Sequence, residues 1–437
     1  MPDGLREAHV HLEELGAELG AINLDSCRSR EECLDRIARR ATEVPPGAWV
    51  LAVRARVEGW AERAWPTAAQ LHEAAGGRPC AVKSFDIHSL VASDEALRVI
   101  GIEPGRPVDG RDARPTDSGA DLDLIDLDES GVPTGLLLEA MAQRVLDAIP
   151  APTADERLEQ VRLACEDLAR RGFVEAHDMW SRPTLWRDLA DLHDAGRLPI
   201  RVLVHPVRED FDRAVAERDM FEREGVRLGG LKVFTDGTLN SRTAWMLEPY
   251  ADPRPEAPAG RRMMTDDEFI DALARAEAAR LPLVAHAIGD AAVRRRLDLI
   301  ERHGSRAVAH RIEHAEFIDP ADVPRFAALN VIASVQPCHL LPDIEALRRL
   351  TPDRLDRVLP LRDLVDAAAR AGRDPADLIW FGSDAPVVDP SPEDNLQAAV
   401  HRRRRGMDEA EAVAPEQALT EAEAWSFMRA PAGVEAP

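Results

Sequence analysis

Short apolar runs, most of which end on or contain a histidine, lysine or aspartate, recur along this chain with a helical pattern between them. The runs are residues 5–11, 173–178, 200–205, 230–236, 281–286, 308–316, 331–336 and 378–384. Stretches such as 154–171, 266–280, 291–303, 321–329 and 361–371 lie between them and read as amphipathic helices. Strands that alternate with helices predict a parallel sheet, because a parallel pair needs a long crossover. His286 and His314 lie about one such unit apart, close to the roughly 30 residues of a strand–helix–strand repeat. Eight repeats predict a (β/α)8 TIM barrel. An open doubly wound sheet is the alternative fold, but no GxGxxG follows the first strand, as a dinucleotide-binding sheet would require.

Between the first and second runs the rhythm is different. Cys33, Leu34, Ile37 and Ala41 give residues 31–44 a helical pattern, which Pro45-Pro46-Gly47 stops. Strand-like runs follow at 49–53 and 79–86, then a helix at 93–99 and a loop rich in Pro, Gly and Asp at 104–123. Asp128-Glu129-Ser130-Gly131 forms a turn between 124–127 and 134–138. The expected organisation is a first barrel strand and helix at 1–44, an inserted α+β subdomain at 45–140 between strands one and two, and the rest of the barrel at 141–437.

With 437 residues and 45% hydrophobic content, the chain is long enough for a large domain with an insertion. A net charge of −24 argues against a nucleic-acid partner and against an anionic membrane surface. No signal-peptide core opens the chain, and no run of about 18 apolar residues predicts a membrane span. Five scattered cysteines without CxxC spacing predict reduced thiols and a cytoplasmic protein. A small-molecule substrate is the expected partner.

Within the strands, chemistry-bearing residues sit where barrel active sites lie. His9 and His11 are two apart, so a strand projects both to one side, where two imidazoles can share a metal ion. Alone, an HxH is a weak signal. Lysine and arginine together number 55, and only Lys83 and Lys232 are lysine. Lys232 lies in an apolar strand, where lysine can lose its proton while arginine cannot. A neutral lysine can take up carbon dioxide and become a carbamate, an oxygen ligand able to bridge two metals. His286, His314 and Asp384 complete the set. Six candidate ligands at one mouth predict a site for two divalent ions, zinc by default.

The chain resembles the amidohydrolase superfamily, in the amidohydrolase-3 branch that includes N-substituted formamide deformylases. The resemblance rests on Glu7-Ala8-His9-Val10-His11-Leu12, on Leu231-Lys232-Val233-Phe234-Thr235-Asp236-Gly237 with Ser241-Arg242-Thr243-Ala244, and on His286-Ala287-Ile288-Gly289-Asp290. It continues through Arg311-Ile312-Glu313-His314-Ala315, Ser334-Val335-Gln336-Pro337-Cys338-His339 and Gly382-Ser383-Asp384-Ala385-Pro386. The insertion contributes Asp86-Ile87-His88-Ser89 and the stretch from Gly131 to Glu139.

The resemblance implies that His9 and His11 bind one metal and His286 and His314 the other. It further implies that carbamylated Lys232 bridges them and that Asp384 ligates weakly and shuttles the proton. It implies hydrolysis of a C–N bond, an amide or N-formyl group, by metal-bound hydroxide. His88, Glu139, Gln336 and His339 are candidate substrate contacts. The same site could serve a decarboxylase or an isomerase, and a non-catalytic barrel could retain the metal. His177, His205 and His310 are left outside the ligand set. Asp178, Asp236 and Asp290 are read as caps of the turns and helices that follow, and Arg402 to Arg405 as a solvated helix face. Relatives carry a β-sandwich flanking the barrel, built from both chain ends. That sandwich is expected to be missing here, with the bare flank covered in a homo-oligomer.

Overall fold

The computed structural model describes residues 4–84, 89–108, 124–431 and 433. Two compact units divide the chain: Met1–Leu15 with Leu158–Pro437, and Gly16–Arg157.

The larger unit is built on parallel strands. One sheet orders Leu5–Val10, Phe173–Asp178, Arg201–Val204 and Val226–Leu228; the other orders Leu231–Phe234, Leu283–Ala287, His310–His314, Val331–Val335 and Ile379–Phe381. Every pairing within both sheets is parallel. Lys232 bridges Val207, just past Arg201–Val204, and Val10 bridges Ala385, both in parallel, so the two sheets are linked at two places. Helices such as Asp290–His303 return the chain between strands and bury one face, here Ala292, Val293, Leu297 and Ile300. With helices on the outer side, the strands are buried from both sides and read as nearly continuous apolar runs. Each fully buried Val, Leu or Ile among them, such as Val284 and Ile312, contributes about 1.5–3 kcal/mol.

The fourth expected strand, 230–236, is found at Leu231–Phe234, and a short strand that was not expected, Val226–Leu228, precedes it. Val226–Leu228 and Leu231–Phe234 belong to different sheets, with Gly229 and Gly230 between them. A Cβ on Gly229 would meet His205 Nε2 at 2.5 Å, and one on Gly230 would meet the Pro282 carbonyl oxygen at 2.6 Å. Only glycine allows this approach.

The smaller unit has its own sheet, in the order Ile22–Asn23, Val50–Ala55, Cys80–Ser84, Ser89–Ala92, Pro133–Leu138 and Ile125–Leu127. Its first two pairings are parallel and the others antiparallel. The expected insert at 45–140 lies inside this unit, which reaches further in both directions. The helix Arg30–Glu43, expected beside the first barrel strand, buries Cys33, Ile37 and Ala41 in a core with Val50, Ala52, Leu71 and Val82. Ser29 caps this helix by accepting from Glu32 N, which fixes its start within the same unit.

One charge run departs from expectation. The helix Pro392–His401 ends before Arg402, whose φ of 56° turns the chain left-handed. Arg402 is fully buried and donates to the carbonyl oxygens of Val413, Leu359 and Val358. It is a structural clamp, while Arg405 remains exposed. Among the described residues no helix is long and apolar enough to cross a membrane.

Candidate metal centre

The strand ends bring the candidate ligands together. His9 and His11 lie at and just beyond the end of Leu5–Val10, and Asp384 follows Ile379–Phe381. Asp384 N donates to the His9 carbonyl at 2.7 Å, which docks the two segments side by side. Asp384 Oδ1 then lies 2.9 Å from His11 Nε2 and 3.3 Å from His9 Nε2. His314 ends its strand, with its ring centroid 4.8 Å from that of His9 and 4.5 Å from that of His286. His9, His314 and Asp384 each offer a ligand atom, all within 4.8 Å of one another. His286 and Lys232 stand outside this tight group. His286 Nε2 donates to the Gly237 carbonyl at 3.2 Å, leaving Nδ1 as its free lone pair. Lys232 Nζ lies 5.1 Å from the Phe234 ring centre.

His314 and Asp384 have φ of 68° and 61°, in the left-handed region. Non-glycine residues rarely adopt it, at a cost of about 1–3 kcal/mol each, and such strain gathers at functional sites.

Three observations fit these residues to a bound cation. First, three of the imidazoles, His9, His286 and His314, are pushed toward the neutral form that ligates a metal, while at His11 burial is outweighed by the hydrogen bond to Asp384, which raises the pKa. Burial, reinforced by the nearby Lys232 charge, lowers the pKa of His9 to about 4 and of His286 to about 3. Burial with neighbouring His286 and His9 holds His314 well down. Second, Asp384 is ionised. Burial opposes its charge, but His9, His11 and His314 outweigh that and hold its pKa well below the usual carboxylate range. The lone pair of His9 Nε2 thus faces a carboxylate oxygen, an arrangement that a cation between them relieves. Third, Lys232 is fully buried and its Nζ has no hydrogen-bond partner among the described residues. Burial lowers its pKa to about 8, toward the neutral amine that forms a carbamate.

Among the candidate substrate contacts, His339 is in the neighbourhood: its ring is 6.3 Å from that of His314, and its Nε2 donates to the Ser383 carbonyl at 2.9 Å. Gln336 is buried and turns its amide back to the Ser334 carbonyl at 3.4 Å. His88 lies outside the described residues, as does the side chain of Glu139. Asp178 caps the turn after its strand, as read from sequence, whereas Asp236 caps neither the turn nor a helix that follows it and holds distant backbone instead. Asp178 accepts from Leu12 N and Trp180 N, and Asp236 from Trp245 N, Ile288 N and Gly289 N. Asp236 thereby anchors the 235–265 segment, which carries no helix or strand. Loops of that length are uncommon unless they serve a site.

Sequence reasoning missed two features. One is a cavity of about 210 Å³ lined by Lys232 with Trp180, Val207, Phe234, Met263 and Met264. A cavity of about 150 Å³ holds benzene, so this one has room for a ring-sized group. The other is Glu313, whose Oε2 lies 2.7 Å from His9 Nδ1. Strand alternation would turn Glu313 away from its neighbour His314, but the left-handed turn at His314 lets both reach His9. The paired Glu-His of the strand was the available signal.

The chain is similar to known proteins along nearly its whole length. Protein LONG AFTER FAR-RED 3 of Arabidopsis thaliana is 27% identical over 91% of this chain and 68% of its own length. The N-substituted formamide deformylase of Arthrobacter pascens is 23% identical over 95% of this chain and 77% of its own. An uncharacterized metal-dependent hydrolase from Pyrococcus horikoshii superposes with a TM-score of 0.74 at 25% identity, covering 98% of this chain and 79% of that one. The profile of the amidohydrolase family matches residues 3–432, and with that match the chain belongs to the amidohydrolase family.

Proposed function

We propose that this chain is a metal-dependent hydrolase that cleaves a C–N bond in an amide or N-formyl group, with its two sheets acting as one closed (β/α)8 barrel. The carrying observation is the buried group of His9, His314 and Asp384, with ligand atoms all within 4.8 Å, together with a fully buried lysine that has no hydrogen-bond partner among the described residues. The two parallel bridges between the sheets support the closed barrel.

His9, His11, His286, His314 and Asp384, with carbamylated Lys232, would hold two divalent ions, zinc by default for a nitrogen and oxygen set. What such ions supply when bound is a coordinated water with its pKa lowered to about 7 and a polarised carbonyl. The chain's own residues do the rest. Neutral Lys232 Nζ adds to carbon dioxide, forming an N–C bond and releasing one proton, which turns an apolar-strand amine into an anionic oxygen donor. Asp384, held ionised by the three histidines, accepts a proton from the attacking water and passes it to the leaving nitrogen. The cavity beside Lys232, walled by the packed pair of Trp180 and Phe234 with ring centres 5.3 Å apart, receives a substituent of the substrate.

Elemental analysis followed by a panel of amides and N-formyl amines tests this reading. Bound divalent metal is expected, with amine and acid released in equal amounts. Carbon dioxide or an isomer formed without amine would overturn it, as would a purified protein that takes up no metal. For Lys232, electron density or carbon-13 NMR after bicarbonate labelling is expected to show the carbamate in the metal-loaded protein; an unmodified ammonium would remove it.

A further inference from the structure

We propose that Glu313 is the positioning residue of the centre. It holds the His9 proton on Nδ1 and so turns the Nε2 lone pair toward Asp384 and His314, while Arg311 is the strut that keeps Glu313 in place. This rests on reading the cluster as a metal site.

An ionised carboxylate only accepts hydrogen bonds. With Glu313 Oε2 2.7 Å from His9 Nδ1, the ring proton therefore sits on Nδ1. The other ring nitrogen, 3.3 Å from Asp384 Oδ1, is left to ligate. A carboxylate behind a ligating histidine fixes its tautomer and ring angle.

Glu313 is itself fixed. Its Oε1 lies 2.8 Å from Arg311 Nε, a charge contact without hydrogen-bond geometry. The other Arg311 nitrogens contact His177 Nδ1 at 2.7 Å, the Ala8 carbonyl at 2.9 Å and Ser334 Oγ at 3.0 Å, and the guanidinium lies 4.9 Å from the Trp380 ring centre. One cation thus touches five strands, and the Ala8 contact lies one residue before His9. The ring and the backbone of His9 are both referenced to a single ion pair. Arg311 is 2% exposed and Glu313 fully buried. Well-packed apolar residues often match or exceed such a pair in stability, so stability alone does not account for it.

The test uses the full chain. Glu313→Met removes the acceptor, Glu313→Gln keeps an amide oxygen for Nδ1, and the double variant Arg311→Met with Glu313→Met removes both charges at similar volume in case Glu313→Met fails to fold. Zinc affinity is measured by competition with a chelator, and the His9 tautomer by nitrogen-15 NMR of the metal-free protein. Wild type and Glu313→Gln are expected to show the Nδ1–H tautomer. Glu313→Met and the double variant are expected to show mixed tautomers and zinc affinity about 10–100-fold weaker, the usual effect of losing such a partner. An Nε2–H tautomer in wild type would overturn the proposal, as would a folded double variant with wild-type zinc affinity. Turnover enters neither readout. A protein that binds no zinc would sink the hydrolase reading, and the tautomer would still decide the role of Glu313.

Discussion

The strand His310–His314 begins and ends on a histidine, and its two ends are chemically unlike. At the first end, His310 is fully buried with both ring nitrogens used: Nδ1 accepts from Leu283 N at 3.1 Å and Nε2 donates to Glu277 Oε1 at 3.0 Å. At the last end, His314 is also buried, yet its ring nitrogens make no hydrogen bond among the described residues, and other imidazoles and a carboxylate surround it. Residue type and burial are the same. What differs is saturation: His310 spends both ring nitrogens on the protein, whereas those of His314 are left open to a ligand.

The sharpest way to break this comparison is to remove each histidine in turn. His314→Ala is expected to lose bound metal and detectable turnover, read by elemental analysis and product release. Full metal content in that variant would end the distinction between the two ends. Asp384→Asn should retain metal and lose about 10²–10⁴ in turnover, the scale of a missing acid–base group. Unchanged turnover would take the proton-shuttle role from Asp384. His310→Ala is expected to leave metal content intact and cost about 1–3 kcal/mol of stability in urea denaturation, because the buried Leu283 N loses its acceptor. Loss of metal there would mean that the strand acts as one unit.

Much of this contrast was legible in the sequence. The strand ends and the two-residue spacing placed His9, His11, His314 and Asp384 on one rim, because alternation is a local property of extended backbone. Three things were not local. Glu313 could not be read as facing His9, since alternation sets it on the face opposite His314, and the left-handed φ that lets both reach His9 is not visible in the residue types. The helix Arg30–Glu43 carried a clear period, but the partner of its apolar face is set by Val50, Ala52 and Val82, which lie later in the chain. Arg402 looked like part of a solvated charge run, whereas its partners are carbonyls at Val358, Leu359 and Val413. Helix and strand periods predict which face is apolar; they do not name what covers it.

Lys232 extends the comparison to a second kind of unsaturated group. Its Nζ is buried without a hydrogen-bond partner among the described residues, and burial lowers its pKa from 10.5 to about 8. In metal-free, unmodified protein the unfolded chain therefore binds more protons than the folded one between those values, so stability rises with pH across that window. Below about pH 8 the penalty for burying the ammonium is fully present; above 10.5 it is gone. Lys232→Met keeps the length of the side chain and removes the charge. At pH 7 the metal-free variant should be more stable than wild type by at most the roughly 3 kcal/mol that this shift corresponds to, with the gain shrinking as pH is raised from 8 toward 10.5. The same variant should bind metal less well, which would separate a lysine kept for ligation from one kept for the fold. If Lys232→Met instead destabilises the metal-free protein at every pH, the amine has a structural partner in solution and the contrast drawn from His310 and His314 does not reach it.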